Sequence, residues 1–392
     1  MITILVFLLI LSVLVFIHEL GHFLVAKKLG IKVEEFGFGF PPKAWGKKIG
    51  ETIYSINWLP IGGFVKLYGE DDAGGGKVKI QDSKFKIQNS ELKRAFFARP
   101  VRQRVAVVIA GVVMNVLLAA FIYYLFLGIS NFRTELPLLN DHRFFFVNQV
   151  NQTDLIITNV EKGSPAEEIG LKQYVRIVSI NDAKVEDMQE FSQIVKQLAG
   201  KSIILEWEDM ESGKISSARV VPRVSPPPGQ GALGISFFPA KRAVLSYKTL
   251  PQKIFSGFTH SANLTVYNID ILSQLVTASL RDKSVEPLGQ GVAGPVGIFS
   301  LVGSIVQIPD IKERVLGILN LAGVLSISLA FFNILPIPAL DGGRLFFILV
   351  EGITGKKINP KIEGYIHSAG MAVLLGLVAL ITFKDLRQLI FK

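Results

Sequence analysis

Apolar residues gather into four long runs along this chain, at roughly 2–26, 105–129, 315–335 and 366–383. A helix needs about 20 mainly apolar residues to cross a bilayer, so each run is long enough, or nearly so, to span one. The first run is followed by Lys27 and Lys28 and preceded by no cation. A cleaved leader has the reverse order, so this run predicts a retained helix. Lys and Arg outnumber Asp and Glu between Lys27 and Arg104, and basic segments beside spans stay on the cytoplasmic side. The expected orientation therefore places both termini and 130–310 outside, and 336–365 inside. Arg344, Lys356, Lys357 and Lys361 in that last short loop agree with it.

The segments between the runs have patterns of their own. In 31–70, short β-branched and aromatic runs are broken by glycines and by Pro41 and Pro42, which predicts a small membrane-associated sheet or hairpin. Gly74, Gly75 and Gly76 follow as a flexible joint. In the outside segment, "DLIITNVEKGSPAEEIGLKQYVRIVSINDAKV" alternates short strands with turn residues. Residues 185–200 have helical apolar spacing at Phe191, Ile194, Val195 and Leu198 and stop at Gly200. "KSIILEWED" is a further strand, and "SPPPGQG" at 225–231 is a stiff break. Residues 243–283 read as amphipathic helix suited to the outer membrane surface.

The predicted fold is a polytopic α-helical membrane protein. It has four transmembrane helices, a cytoplasmic membrane-associated β-hairpin or sheet, and an inserted extracytoplasmic α+β domain. The first helix occupies 1–30, the β region and a linker 31–104, and the second helix 105–130. The inserted domain covers 140–240 and an extracytoplasmic helical region 241–310. The third helix covers 311–345, and a cytoplasmic loop and the fourth helix 346–392.

Composition narrows the partners. Of 392 residues, 49% are hydrophobic, and the formal charge is +10. The basic excess flanks membrane spans, where anionic lipid attracts it. No nucleic-acid-binding pattern accompanies it, so nucleic acid is not an expected partner. The chain has no cysteine, which excludes disulfides and thiol catalysis.

Within the first run stands "FIHELGHFLVAKK". His18 and His22 are four residues apart, so on a helix they share one face. Two imidazoles so placed can bind one zinc ion, with Glu19 beside them as general base. His18 lies about 13 Å along the helix from Lys27. Ionisable groups at that depth are costly and face a partner or a cavity. A catalytic zinc needs a third protein ligand. His142, His260 and His367 have no comparable setting and read as surface or interfacial residues. In "FFNILPIPALDGGRL", Pro336 and Pro338 must unwind the third helix. Unwound backbone at membrane depth is tolerated only where protein covers it or it lines a cavity. Asp341 just beyond could cap a following helix or supply the third ligand, and the incomplete site favours the ligand. Asn333 could stabilise an oxyanion, bind substrate backbone, or satisfy groups freed by Pro336.

These residues closely resemble the site-2 protease family of intramembrane zinc metalloproteases, most of all its bacterial regulator-of-sigma-E protease branch. The likeness covers nearly the whole chain. It rests on "HELGH", "PIGGFVKLYGE", "AGVVMNVLLA", "GPVGI" and "NILPIPALDGG". Val112 stands where the second-span motif often has proline. The resemblance implies zinc on His18, His22 and Asp341, a catalytic Glu19, and the family's asparagine at Asn333. It implies an endopeptidase that cuts transmembrane segments of single-span proteins already trimmed outside, such as an anti-sigma factor or a signal-peptide remnant. A substrate helix must unwind before its peptide bonds can be attacked, and an exposed edge in 31–70 could hold it by strand addition. Gly62, Gly63, Phe64 and Val65 are the candidate substrate-binding residues there.

The inserted domain resembles a single bacterial-type PDZ domain. Gln173, Tyr174 and Val175 replace the usual Gly-Asp, which favours size exclusion of untrimmed substrates over capture of a new C-terminus. Two other readings compete. A non-catalytic membrane scaffold or sensor would be expected to lose His18, Glu19 or Asp341, and all are present. A transporter would show paired broken helices from an internal repeat, and none is evident.

Overall fold

The first apolar run is helical from Ile2 to Lys28 (α1). The computed structural model describes residues 2–70, 92–185, 188–210, 213–284, 289, 292–356 and 358–390. The glycine joint at 74–76 lies outside the described residues. The chain divides into two compact units, residues 1–131 with 254–392, and residues 132–253.

After α1 the chain forms a two-stranded antiparallel sheet, Val33–Ile49 (β1) and Thr52–Leu67 (β2). Both strands fold back on themselves, because Phe36 is opposite both Tyr54 and Val65, and Phe38 both Ile56 and Gly63. Residues 35–38 are therefore central, 53–56 flank them on one side and 63–66 on the other. Lys43–Ile49 pairs only beyond 52–57. The 63–67 stretch is thus an edge, with no further strand beside it among the described residues. Phe36 packs on Phe23, centroids 4.8 Å apart, and on Phe16 at 5.6 Å. Ser12 donates to the Pro60 carbonyl at 2.6 Å. Ser12 is about 24 Å from the end of α1 at a helical rise of 1.5 Å per residue. The sheet therefore lies along the length of the span and does more than cover its C-terminal end. At its other end, Arg94 and Lys27 both pair with Glu51 in the hairpin turn, at 2.7 and 3.2 Å. Arg94 and Lys27 hold the Glu51 carboxyl down to about 2.

The second span is Val101–Ile129 (α2). It starts four residues before its apolar run, directly after Pro100, which cannot donate within a helix. Arg104 is tolerated there because it forms a paired salt bridge with Glu351, at 2.7 and 2.9 Å. Half of the apolar window of α2 is buried in protein, against 22% for the first and third spans and 6% for the fourth, so α2 is the central helix.

The inserted unit is a seven-stranded sheet. Its strands are Arg133–Leu138 (β3), Asn148–Val160 (β4), Val175–Ile180 (β5), Ala183–Lys184 (β6), Ile203–Asp209 (β7), Ile215–Val220 (β8) and Ile235–Ser246 (β9). The order is β3-β9-β4-β5-β7-β8, with β6 paired to β5. The predicted helix is Met188–Gln197 (α3), and its Phe191 and Val195 enter the core with Leu155, Ile177 and Leu205. The unit is wider than 140–240, because β3 pairs with the second half of β9, from Lys241 to Ser246. Residues 241–246 are therefore strand, not the start of a helical region. Tyr174 adopts φ +62 and donates its N–H to the Ile157 carbonyl at 2.8 Å. The turn expected of Gly-Asp is thus made without it.

The chain returns through Ser256–Arg281 (α4). Its first half packs on α2 through small and polar residues, so it does not lie flat on a surface as its pattern suggested. A Cβ on Gly257 would come within 2.0 Å of the Ala120 carbonyl. His260 is fully buried against Tyr123, ring centroids 4.7 Å apart. Phe258, Val266 and Ile269 point outward instead, the distribution of helices that pack in lipid. Pro295–Val306 (α5) lies against α1, with Val302 on Ile10 and Leu14. The third span is Ile311–Ile334 (α6). Asp341–Thr354 (α7) is a helix where a loop was expected, and its Leu345 and Ile348 pack on Val108. The fourth span lies in Pro360–Ile390 (α8). Among the described residues these four spans, α1, α2, α6 and α8, are long and apolar enough to cross a membrane.

The buried Arg104–Glu351 pair gives a stability test. Glu351→Ala strands a buried guanidinium and should cost about 3–5 kcal/mol, seen as a lower thermal unfolding temperature in detergent. Arg104→Met combined with Glu351→Leu should recover most of it.

Candidate metal centre

His18 and His22 meet on one face of α1, their rings edge to face with centroids 4.8 Å apart. Their Nε2 atoms are 3.2 Å apart. Asp341 Oδ2 lies 2.9 Å from His18 Nε2 and 3.2 Å from His22 Nε2. Zinc bonds of about 2.0–2.1 Å in a tetrahedron place neighbouring ligand atoms about 3.3 Å apart, so this donor set fits zinc. Among the described residues no other group of three His, Asp or Glu side chains could hold a metal ion.

The other ring nitrogens are held by α2. His22 Nδ1 donates to the Val107 carbonyl at 2.8 Å. His18 Nδ1 is 3.1 Å from the amide of Asn115, which is fully buried. The Val107 carbonyl accepts from His22 Nδ1 and so sets the tautomer that leaves His22 Nε2 free to ligate, while the Asn115 amide holds the ring of His18 in place. They can do so only because α2 comes very close. A Cβ on Gly111 would lie 2.4 Å from His22 Nε2 and 2.7 Å from His18 Cε1. A Cβ on Gly21 would lie 2.5 Å from the Ala110 carbonyl. In the sequence, Gly111 and Asn115 stand out only as part of "AGVVMNVLLA", with no ionisable group to mark them. Their spacing of four, one helical turn, was the available signal.

Asp341 arrives by the break at the end of α6. The helix stops at Ile334, Leu335 is extended, and Ala339 takes φ +79 before α7 begins at Asp341. The helix start has no side-chain cap, so Asp341 is not a cap, and its carboxylate turns to the histidines. Gly342 and Gly343 permit this fold-back, since a Cβ on either would lie 1.9 or 2.5 Å from the carbonyls of Leu335 and Ile337. Asn333, buried, places its amide nitrogen 3.4 Å from His18 Nε2, inside the site and away from the broken backbone.

Glu19, His22 and Asp341 line a cavity of ≈ 530 Å³ with Phe64 and Val65. A Cβ on Gly63 would be 3.4 Å from Glu19 Cγ, so the β2 edge runs directly beside the carboxylate. Gly62 takes φ +87 at the turn that leads into that edge. Two residues stand here that the sequence placed elsewhere. Arg344 is no free loop charge: it pairs with Glu70 at the cavity wall. His367 is buried and lines the same cavity, while His260 is buried in α4, so neither is a surface residue.

Two histidines and a carboxylate closing on one point, with a glutamate beside them in a cavity between membrane helices, define a metallopeptidase of the membrane. The chain belongs to Peptidase family M50, whose profile matches residues 6–377, and it is a zinc metallopeptidase. The regulator of sigma-W protease RasP of Bacillus subtilis is 28% identical, with 99% of each chain covered. The zinc metalloprotease RasP of Bacillus licheniformis is likewise 28% identical over 99% of each chain. A Clostridium perfringens protein, provisionally named a zinc metalloprotease, is 33% identical over 96% of each. Among solved structures, the PDZ domain of an SdrC-like protein from Listeria monocytogenes aligns with 21% of this chain and 85% of its own. That alignment has 18% identity and a TM-score of 0.19, too low to bear on the fold.

Gly111→Ala tests the close approach. The added methyl should displace a histidine and abolish both zinc retention and cleavage, measured as metal per protein after dialysis, while α1 and α2 still form by circular dichroism.

Proposed function

We propose that this protein cuts within the transmembrane segment of single-span membrane proteins already trimmed outside, with Glu19 as catalytic base and His18, His22 and Asp341 as zinc ligands. The observation that carries this is the β2 edge at 63–67, at membrane depth and beside Glu19. An open strand edge there has unpaired backbone groups that lipid cannot satisfy. An unwound substrate satisfies them by strand addition and exposes its own peptide bonds to the cavity.

The two Nε2 atoms and Asp341 Oδ2 would hold zinc, which would supply a Lewis acid and lower the pKa of water. The residues of the chain do the rest. Glu19 takes the proton of the attacking water and returns it to the leaving amide nitrogen. The Asn333 amide, 3.4 Å from His18 Nε2, donates to the developing oxyanion in this reading. Gly62, Gly63, Phe64 and Val65 align the scissile segment, and glycine at 63 leaves room for Glu19.

By the basic residues after α1, the site faces the cytoplasmic side of the cell membrane and both termini lie outside. The name of the Bacillus subtilis relative points to regulation of a sigma factor, so an anti-sigma factor is the leading substrate class. In the inserted unit, an apolar cleft of ≈ 700 Å³ lies between α3 and the start of β9. Residues 235–237 of β9 pair with β4 on one side only, β3 joining from Lys241. This favours PDZ-type binding of an extended peptide as a second role beside size exclusion.

Glu19→Gln should abolish cleavage in detergent and retain zinc, while Asp341→Ala should lose both. Full activity and zinc in Asp341→Ala would remove it from the ligand set. Proline at Val65 restricts the pairing edge and should slow cleavage of a helical substrate with zinc retained. Unchanged turnover by a folded Val65→Pro protein would count against strand addition.

A further inference from the structure

The fourth span is nearly bare of protein contact along its apolar window, yet one of its polar residues reaches the turn that carries Asp341. His367 is 4% exposed, and its Nδ1 accepts the N–H of Ala339 at 2.9 Å. Ala339 is not glycine, and its φ of +79 is one that an L side chain adopts only when its surroundings hold it there. The helix can come this close because of Gly370, where a Cβ would lie 2.4 Å from Pro338 Cβ and 2.8 Å from the Pro338 carbonyl oxygen. Phe347 of α7 closes the other side of the imidazole, ring centroids 5.6 Å apart. Asp341 is two residues beyond the held amide.

We propose that His367 is a positioning residue: by accepting the Ala339 N–H it locks the strained turn 336–340 and so sets where Asp341 reaches the two histidines. This rests on Asp341 being a ligand. It makes the docking of the fourth span a condition for a complete metal site. The accepting nitrogen carries no proton, so the ring's proton is on Nε2, which faces Glu363 at 3.9 Å. The acceptor must stand at the δ position, and charge on the ring is not required.

The test compares His367→Leu, His367→Asn, His367→Gln and His367→Leu with Ala339→Gly in the full chain, alongside Asp341→Ala. Three quantities are read: amide exchange across 336–341 in metal-free protein, zinc affinity against a chelator, and cleavage rate. His367→Leu should speed exchange in the turn and weaken zinc affinity or activity about 10–100-fold, as loss of an outer partner does at other metal sites. Asparagine, with an acceptor at the same position, should stay near the parent, and glutamine should not. Glycine at 339 adopts positive φ freely and should return part of the loss. Unchanged exchange and zinc affinity in His367→Leu would overturn the proposal. Should His367→Leu not fold, equal loss in the asparagine and glutamine variants would overturn it instead. If Asp341→Ala keeps its zinc affinity, the ligand assignment fails, and exchange in the turn still reports on His367 separately.

Discussion

Everything in the membrane unit depends on one cost, that of keeping imidazoles and carboxylates at membrane depth. There each polar atom needs a partner supplied by the protein. The structure meets this with one close helix contact. Gly21 and Gly111 let α1 and α2 approach until the Val107 carbonyl and the Asn115 amide reach the back of both imidazoles. With those nitrogens engaged, the other two point to a single place. α2 is central for this reason, and most of the remaining packing is arranged around it.

Asp341 obeys the same constraint differently. A carboxylate on an unbroken α6 would have to share its helical surface with lipid. Breaking the helix at Leu335 lets the chain turn inward and restart at Asp341, with two glycines where the turn folds over the new helix. The freed backbone is covered by protein: the Ala339 N–H by His367, and the Leu340 N–H by the Ile337 carbonyl. The broken helix is thus a device for delivering charge into the site. The fourth span reaches this turn through His367, and its far end is tied to the start of α5, where Asp385 accepts the N–H groups of Gly294 and Gly297.

The sheet belongs to the same logic. Its pairing runs from Glu51, pinned by Lys27 and Arg94, to Pro60, pinned by Ser12 deep along α1. A sheet held at both ends presents its edge at a fixed distance from Glu19. Beside that edge lies the ≈ 530 Å³ cavity lined by Glu19, His22 and Asp341.

Local patterns carried what local physics decides. Span lengths, the i,i+4 histidines with Glu19 between them, the helix break at Pro336 and Pro338, and the helix at 188–197 were all legible, because each depends on neighbours within one or two turns. The broken third span and the incomplete site already pointed to Asp341 and offered Asn333, the family likeness pointed to the same two residues, and the fold brings both to the histidines. Tertiary structure alone decided the rest. Asn115 meets His18 across 97 residues, Arg344 meets Glu70 across 274, and Arg104 meets Glu351 across 247. The sequence showed those charges only as loop charges or flanking cations. The double-sided pairing of 35–38, the strand at 133–138 and the burial of His260 and His367 likewise depend on which segments return to lie side by side. Periodicity reports which face of an element is apolar. It does not report that a polar face is buried because another polar face has come to meet it.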